Sequence, residues 1–268
     1  MSLRLYDAHN HLQDARLAPH RHAVMEAVQR EGIVKMVVNG TCEEDWPEVM
    51  ALAHKHRQVL PSFGCHPWCV KERSANWQKA LQHYLNQGPA AVGEIGLNRW
   101  AKNCDLAQQE EAFVWQLRLA VERDLPVSIH CLQAWGRLLE LLRAEPRPRL
   151  GFVLHSYGGP AEMIDPLAKL GAYFSIPGCF ENNRKARQRE AFKQVPLDRL
   201  LIETDAPDQL LPDERNAFPL TDVGSGKPIN HPANVASVYR FVAELLNEPL
   251  ESLAMRVEEN FQRLFRTS

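Results

Sequence analysis

Two histidines one residue apart give the first chemical signal in this chain. In His9-Asn10-His11 the period-two spacing turns both imidazoles to the same side of an extended backbone. Further on, single His and acidic residues fall at or near the ends of short apolar runs. Glu94 lies in Val92-Gly-Glu-Ile-Gly-Leu, His130 closes Pro126-Val-Ser-Ile-His, His155 closes Gly151-Phe-Val-Leu-His, and Asp205 closes Leu200-Leu-Ile-Glu-Thr-Asp. Imidazole and carboxylate together suit borderline divalent cations such as Zn²⁺, Mn²⁺ or Fe²⁺. Four His and two carboxylates exceed one tetrahedral site and fit two adjacent metals with a carboxylate between them. Such a pair activates a water and clamps a scissile phosphoryl or acyl group.

Taken singly, each residue has a plainer reading: a loop histidine, a carboxylate paired with an arginine, a turn cap. Taken together, six polar groups at the ends of buried strands would each need separate satisfaction. A shared metal site satisfies them at once, with Glu94 and Asp205 as the acid–base candidates.

The elements that must position these residues follow from the same runs. Apolar stretches rich in β-branched residues occupy 3–6, 34–38, 59–63, 91–95, 127–129, 152–154, 172–176 and 200–202. Helix-like segments fall between most of them, at 20–31, 47–56, 77–86, 108–123, 136–143, 161–170 and 185–192, and two more close the chain at 235–246 and 251–265. Strands alternating with helices imply βαβ units and a parallel sheet. Eight such units in 268 residues predict an α/β fold, a single (β/α)₈ TIM barrel over 1–268. In a barrel the C-terminal strand ends converge on one face, so the metal site is expected there. An open doubly wound sheet competes less well, because no Gly-rich phosphate loop follows the first strand. The polar stretch 205–234, with five prolines, reads as a long functional or disordered loop.

Composition narrows the function classes. A net charge of −2 gives no global attraction to nucleic acid or membrane, so any polyanion contact must be local. The opening MSLRLYDAHNH carries no signal-like apolar region, and no 18-residue apolar span occurs. Cys42, Cys65, Cys69, Cys104, Cys131 and Cys179 are scattered. A reduced, cytoplasmic, monomeric protein without a stable protein partner is expected.

The ordered motifs Asp7-Ala-His-Asn-His, Gly93-Glu-Ile-Gly-Leu, Pro126-Val-Ser-Ile-His, Leu154-His-Ser-Tyr-Gly-Gly, Glu203-Thr-Asp-Ala-Pro and Asn260-Phe-Gln-Arg-Leu-Phe resemble the TatD family of metal-dependent hydrolases. The likeness runs from Asp7 to Phe265. It implies a TIM barrel of the amidohydrolase-like group, two divalent metals (Zn²⁺, Mg²⁺ or Mn²⁺), and deoxyribonuclease action on DNA or a small phosphodiester. It implies His9, His11 and Asp205 on one metal, His130 and His155 on the other, and Glu94 bridging. The water held there would attack phosphorus, with Asp205 placed to help take its proton. Where the family usually has an acidic residue, an Arg and Asn-Glu-Pro, this chain has Asn98, Leu132 and Asn230-His231-Pro232. These positions are expected near the substrate.

His66, in Gly64-Cys-His-Pro, matches a family Gly-x-His-Pro and is expected to line the pocket, either touching substrate or supporting the ligands and packing behind them. Arg184 and Arg187, in the basic run after the seventh strand, are the candidates for phosphate contact, against a solvated helix face as the alternative. Trp100 and Trp135 either stack on a base or pack in their loops. Cys65 to Cys69 lacks the second ligand pair of a structural zinc site. Histidines 20, 22, 54, 56 and 83 are read as facing solvent. Two other functions compete: an amidohydrolase-type enzyme cleaving a C–N or ester bond, and a non-catalytic metal-binding barrel. Glu94, where that group often bridges its metals with a carboxylated lysine, favours phosphodiester chemistry.

Overall fold

A computed structural model describes residues 3–100 and 105–267; Cys104 lies outside them. Eight parallel strands form one sheet in sequential order: β1 (Leu5–Asn10), β2 (Ile33–Asn39), β3 (Val59–Phe63), β4 (Ala91–Asn98), β5 (Val127–Leu132), β6 (Phe152–Leu154), β7 (Ala172–Pro177) and β8 (Leu200–Glu203). The sheet curls until β8 returns beside β1, where Asp205 N donates to His9 O at 2.9 Å and His11 N to Ala206 O at 2.7 Å. The expected (β/α)₈ barrel is the fold.

Helices α1 (Arg21–Arg30), α2 (Trp46–Lys55), α3 (Trp77–Leu85), α4 (Leu106–Glu122), α5 (Trp135–Ala144), α6 (Ile164–Lys169) and α7 (Ala186–Phe192) follow strands one to seven. They bury one stripe each: Leu138, Leu139, Leu141 and Leu142 in α5, for example. Two helices follow β8, α8 (Val235–Leu246) and α9 (Leu250–Phe265). Both close the β8–β1 seam. Tyr239 of α8 bonds Tyr6 N and O through its hydroxyl at 3.0 and 3.1 Å, and Phe261 of α9 packs on the Tyr6 ring. Asn260 Nδ2 donates to Leu197 O and Leu200 O, which ties α9 to the start of β8. The Asn260 motif is therefore a structural latch, far along the strand from its C-terminal end.

The strand limits differ from the apolar runs where polar residues are buried. β1 begins two residues later than expected and continues through Asp7, His9 and Asn10, all buried. Hydrophobicity alone ends that run at Tyr6, whereas hydrogen bonds to Asp7 from Thr204 and Asn10 carry the strand onward. Two irregularities then aim site residues. On β4, Val92 pairs with Val127 and Ile95 with Ile129, so three steps oppose two and Glu94 lies on the extra residue. On β1, Asp7 pairs with Met36 and Asn10 with Val38, which gives the same mismatch around His9. Bulges of this kind re-aim side chains. Just past the one on β4, Gly96 lets the strand lie close against β5, since a Cβ there would lie 1.9 Å from His130 O.

The stretch 205–234 is ordered. It contains a two-stranded ribbon, β9 (Leu220–Thr221) with β10 (Pro228–Ile229), whose turn is held by Asp222 accepting from Gly224 N and Ser225 N. No helix among the described residues is long and apolar enough to cross a membrane.

Candidate metal centre

Five strand ends deliver six donors to one point at the mouth of the barrel. His9 on β1, His11 just past it, and Asp205 two residues past β8 meet because the backbone bonds between Asp205 and His9, and between His11 and Ala206, hold those ends side by side. His9 Nε2 and His11 Nε2 are 3.3 Å apart, and Asp205 Oδ1 lies 3.7 and 3.4 Å from them. His130 Nδ1 and His155 Nε2 approach to 3.2 Å. Glu94 stands between the two groups. Its Oε2 is 3.4 Å from both His9 Nε2 and His11 Nε2, while its Oε1 is 2.9 Å from both His130 Nδ1 and His155 Nε2. All six expected ligand residues are thus brought together.

The donor set fits divalent cations. Donors around a tetrahedral cation with bonds of about 2.0–2.1 Å sit about 3.4 Å apart, close to the spacings within each group. Ring nitrogens 3.2–3.3 Å apart would otherwise have to share a proton. Among the described residues, His9, His11 and Asp205 form one potential ligand group, His66, Glu94 and His130 a second, and His9, His155 and Glu203 a third.

Ring orientation is fixed from outside. His11 Nδ1 donates to Asn39 O at 2.8 Å, which leaves Nε2 to face the cluster. His9 Nδ1 meets Ser128 Oγ at 3.0 Å. Outer partners of this kind set the tautomer a metal sees. Beneath the donors, Ser62, Ser128 and Ser175 make a floor of small buried hydroxyls on β3, β5 and β7.

The electrostatics demand positive charge here. Glu94, Asp205 and Glu203 are buried carboxylates. Burial would raise Glu94, yet the charges of His155, His66 and His9 prevail and hold it well below the usual carboxylate range. Burial likewise opposes ionisation of Asp205, but the His11 hydrogen bond and the neighbouring imidazoles keep it at about 2. The reverse holds for His11: burial disfavours its charge, but Asp205 and Glu94 raise it to about 9. His130, desolvated and beside His66, is lowered to about 4. Bound cations would replace those protons as the counter-charge.

Glu203 escaped the sequence reading although it lies in the quoted Glu203-Thr-Asp motif. It is fully buried at the end of β8, accepts from Ser156 Oγ at 2.5 Å and from Ser175 Oγ, and lies 3.5 Å from His155 Nδ1. A Glu closing the otherwise apolar Leu-Leu-Ile run was the available signal. Gln209 was missed too; its Nε2 donates to Ser156 Oγ and to Asp205 Oδ2.

His66 is buried with Nε2 3.5 Å from Glu94 Oε1, and its Nδ1 accepts from Trp68 N, so the neutral ring carries its proton on Nε2. Asn98 bonds His130, and Leu132 is exposed at the end of β5. His231 Nδ1 accepts from Ala233 N and its ring lies on Phe218, so it caps the turn at Pro232–Asn234. Trp135 packs edge-on against Tyr157, whereas Trp100 is 66% exposed, against the packed reading for that residue. Arg184 and Arg187 are exposed on the segment after β7 and make no contact with the cluster. Of the five other histidines, His22, His54 and His83 are exposed, and His20 and His56 are half-buried.

A parallel eight-stranded barrel with a His–carboxylate cluster at this mouth defines a metal-dependent hydrolase. The chain belongs to the TatD related DNase family, whose profile matches residues 6–266. It is 30% identical over 268 residues to the uncharacterized metal-dependent hydrolase YjjV of Escherichia coli, covering 99% of each chain. It is 29% identical to the 3'-5' ssDNA/RNA exonuclease TatD of the same organism, over 97% of this chain and 98% of that one. The crystal structure of Escherichia coli YjjV superposes with a TM-score of 0.89 at 29% identity, covering both chains fully.

Proposed function

We propose that the chain is a divalent-cation-dependent phosphodiesterase acting on DNA or a small nucleotide phosphodiester, with residues 1–268 working as one monomeric catalytic domain. The observation that carries this reading is the division of Glu94, one oxygen toward His9 and His11, the other toward His130 and His155. The relatives named as 3'-5' ssDNA/RNA exonucleases support phosphodiester as the bond class.

In this reading His9, His11 and Asp205 hold one cation, His130 and His155 the other, and Glu94 both. The cations, Zn²⁺, Mg²⁺ or Mn²⁺, supply Lewis-acid polarisation of the phosphoryl group and a lowered pKa for water. Asp205 is ionised at neutral pH and its Oδ2 is anchored by Gln209, so it is held ready to accept a proton from the attacking water. His66 offers an Nε2–H beside Glu94, a donor for a non-bridging phosphate oxygen. Arg184 and Arg187 stand free on the rim as phosphate contacts. Trp100 and Trp68, 66% and 59% exposed, offer faces on which a base stacks.

The test is an activity screen with Mg²⁺, Mn²⁺ and Zn²⁺ on single-stranded DNA, bis-p-nitrophenyl phosphate and amide substrates. Cation-dependent phosphodiester turnover is expected. Turnover of amides without phosphodiesters would overturn the reading, and no turnover of any would leave the non-catalytic barrel in its place.

A further inference from the structure

Away from the metal centre, three cysteines line one small cavity between the loops that follow β2 and β3. Cys42 lies in the first loop, Cys65 and Cys69 in the second, and Trp46 and Trp77 form part of the wall. Cys65 is buried, whereas Cys42 and Cys69 are half-buried and reachable from solvent. Cys42 and Cys69 therefore share one cavity from adjoining loops, and both are open to solvent where Cys65 is not. The remaining described cysteines lie elsewhere: Cys131 on β5, and Cys179 after β7 with its thiol given to Gln209 Oε1 at 2.8 Å.

We propose that Cys42 and Cys69 are an oxidation site, forming a reversible disulfide when the protein meets a hydroperoxide. Cys42 attacks the peroxide: a sulfur–oxygen bond forms, the oxygen–oxygen bond breaks, and water or an alcohol leaves after proton transfer. The Cys69 sulfur then attacks the Cys42 sulfenic acid, the sulfur–sulfur bond forms, and a second water leaves. The two thiols together lose two electrons and two protons, and the hydroperoxide is the species reduced.

The division of roles follows from the surroundings. Cys42 Sγ lies 3.7 Å from Thr41 Oγ1. The nearby Cys69 thiol holds Cys42 below its ordinary thiol value, against burial and Asp45, whereas Cys69 is pushed up by its nearness to Cys42 and by burial. Thiolate character makes the attacking sulfur. Two thiols on adjoining loops of one small cavity are placed to close to the S–S bonding distance of about 2.0 Å.

The bond would be felt at the active mouth. His66 N donates to Thr41 O, next to Cys42, and Cys69 N donates to His66 O, both at 2.8 Å. A Cys42–Cys69 disulfide would therefore join covalently the two loops that already hold His66 by its backbone.

The experiment uses the full chain treated with hydrogen peroxide, alkylated and mapped by mass spectrometry, with Cys42→Ser, Cys69→Ser and Cys65→Ser beside it. In the wild type, Cys42 and Cys69 should lose alkylation together and appear as one linked peptide that dithiothreitol separates. Cys69→Ser should stop at a Cys42 sulfenic acid trapped by dimedone, Cys42→Ser should leave Cys69 alkylatable, and Cys65→Ser should behave as wild type. A wild-type map with Cys42 and Cys69 still separately alkylatable, or with Cys42 linked to Cys65, would overturn the proposal.

Discussion

Nδ2 of Asn98 lies 2.9 Å from Nε2 of His130, and this contact decides which ring nitrogen of His130 is free. Asn98 Oδ1 already accepts from Trp100 N at 2.9 Å, which fixes the amide with its NH₂ toward the ring. His130 Nε2 must then accept, and the neutral ring carries its proton on Nδ1, the nitrogen 2.9 Å from Glu94 Oε1, so His130 can offer that nitrogen to a cation only by moving the proton to Nε2 and giving up the Asn98 bond. A carboxylate at position 98 would reverse this. It would accept a hydrogen bond from Nε2–H and leave the Nδ1 lone pair toward the cluster, while still accepting from Trp100 N.

Asn98→Asp should therefore tighten cation binding on the His130–His155 side by about 10-fold, the low end for a changed outer partner of a ligating His. Zn²⁺ or Mn²⁺ titration of the chelator-stripped protein measures it. Unchanged or weaker affinity would show that the amide does not govern the ring.

Glu203 should matter through His155 and not through substrate. Glu203→Gln removes the negative charge 3.5 Å from His155 Nδ1 while keeping the side chain's size, so cation affinity should fall about 10-fold or more with the fold intact. Glu203→Ala goes further, because Ser156 and Ser175 lose their acceptor. Ser156 is half-buried and keeps Gln209, but the fully buried Ser175 hydroxyl would be orphaned at a cost of about 1–3 kcal/mol, which a denaturant melt should register. Equal metal affinity in Gln and wild type would remove Glu203 from the centre.

In the proposed mechanism Asp205 joins metal holding to proton transfer, so its removal should be more severe than that of a pure positioning group. Asp205→Asn should lower kcat by about 10²-fold or more with an unchanged circular dichroism spectrum. Chelation of the wild type should abolish turnover and lower Tm, since a ligand bound only by the folded state adds stability. Re-addition of Zn²⁺, Mg²⁺ or Mn²⁺ should restore both. Full activity in the chelated protein would contradict a metal-dependent mechanism.

The six-residue cluster was legible because each member interrupts or ends an apolar run, where a polar group needs a reason to be buried. His130 and His155 show this most plainly. What periodicity does not carry is backbone register. The extra residues at His9 and Glu94 leave no hydropathy trace, yet they aim both side chains. Nor does sequence order reveal that Glu203 stands behind His155, since the two lie on different strands and meet only when β7 brings Ser175 between them. The motif around His231 likewise does not show that its Nδ1 accepts from Ala233 N while its ring lies on Phe218, contacts that only the folded loop makes.

That placement gives His231 a pH signature separate from the metals. Burial, with His20 and Arg30 nearby, lowers its pKa from 6.5 to about 4. An unfolded His takes up a proton as pH falls through 6.5, whereas the folded one stays neutral until about 4, so the unfolded state binds more protons across that window. Stability must therefore fall as pH drops from 6.5 to 4, by up to about 3 kcal/mol from this group. His231→Asn keeps an acceptor for Ala233 N but cannot titrate. It should lose about 1 kcal/mol at pH 7 with the ring contact to Phe218, and its stability should decline less than the wild type's between pH 6.5 and 4. Denaturant unfolding of both proteins across that range, each with excess chelator so that cation release does not contribute, isolates the difference. Parallel pH curves would mean that His231 is protonated in the folded protein and that the Ala233 N–H has found another acceptor.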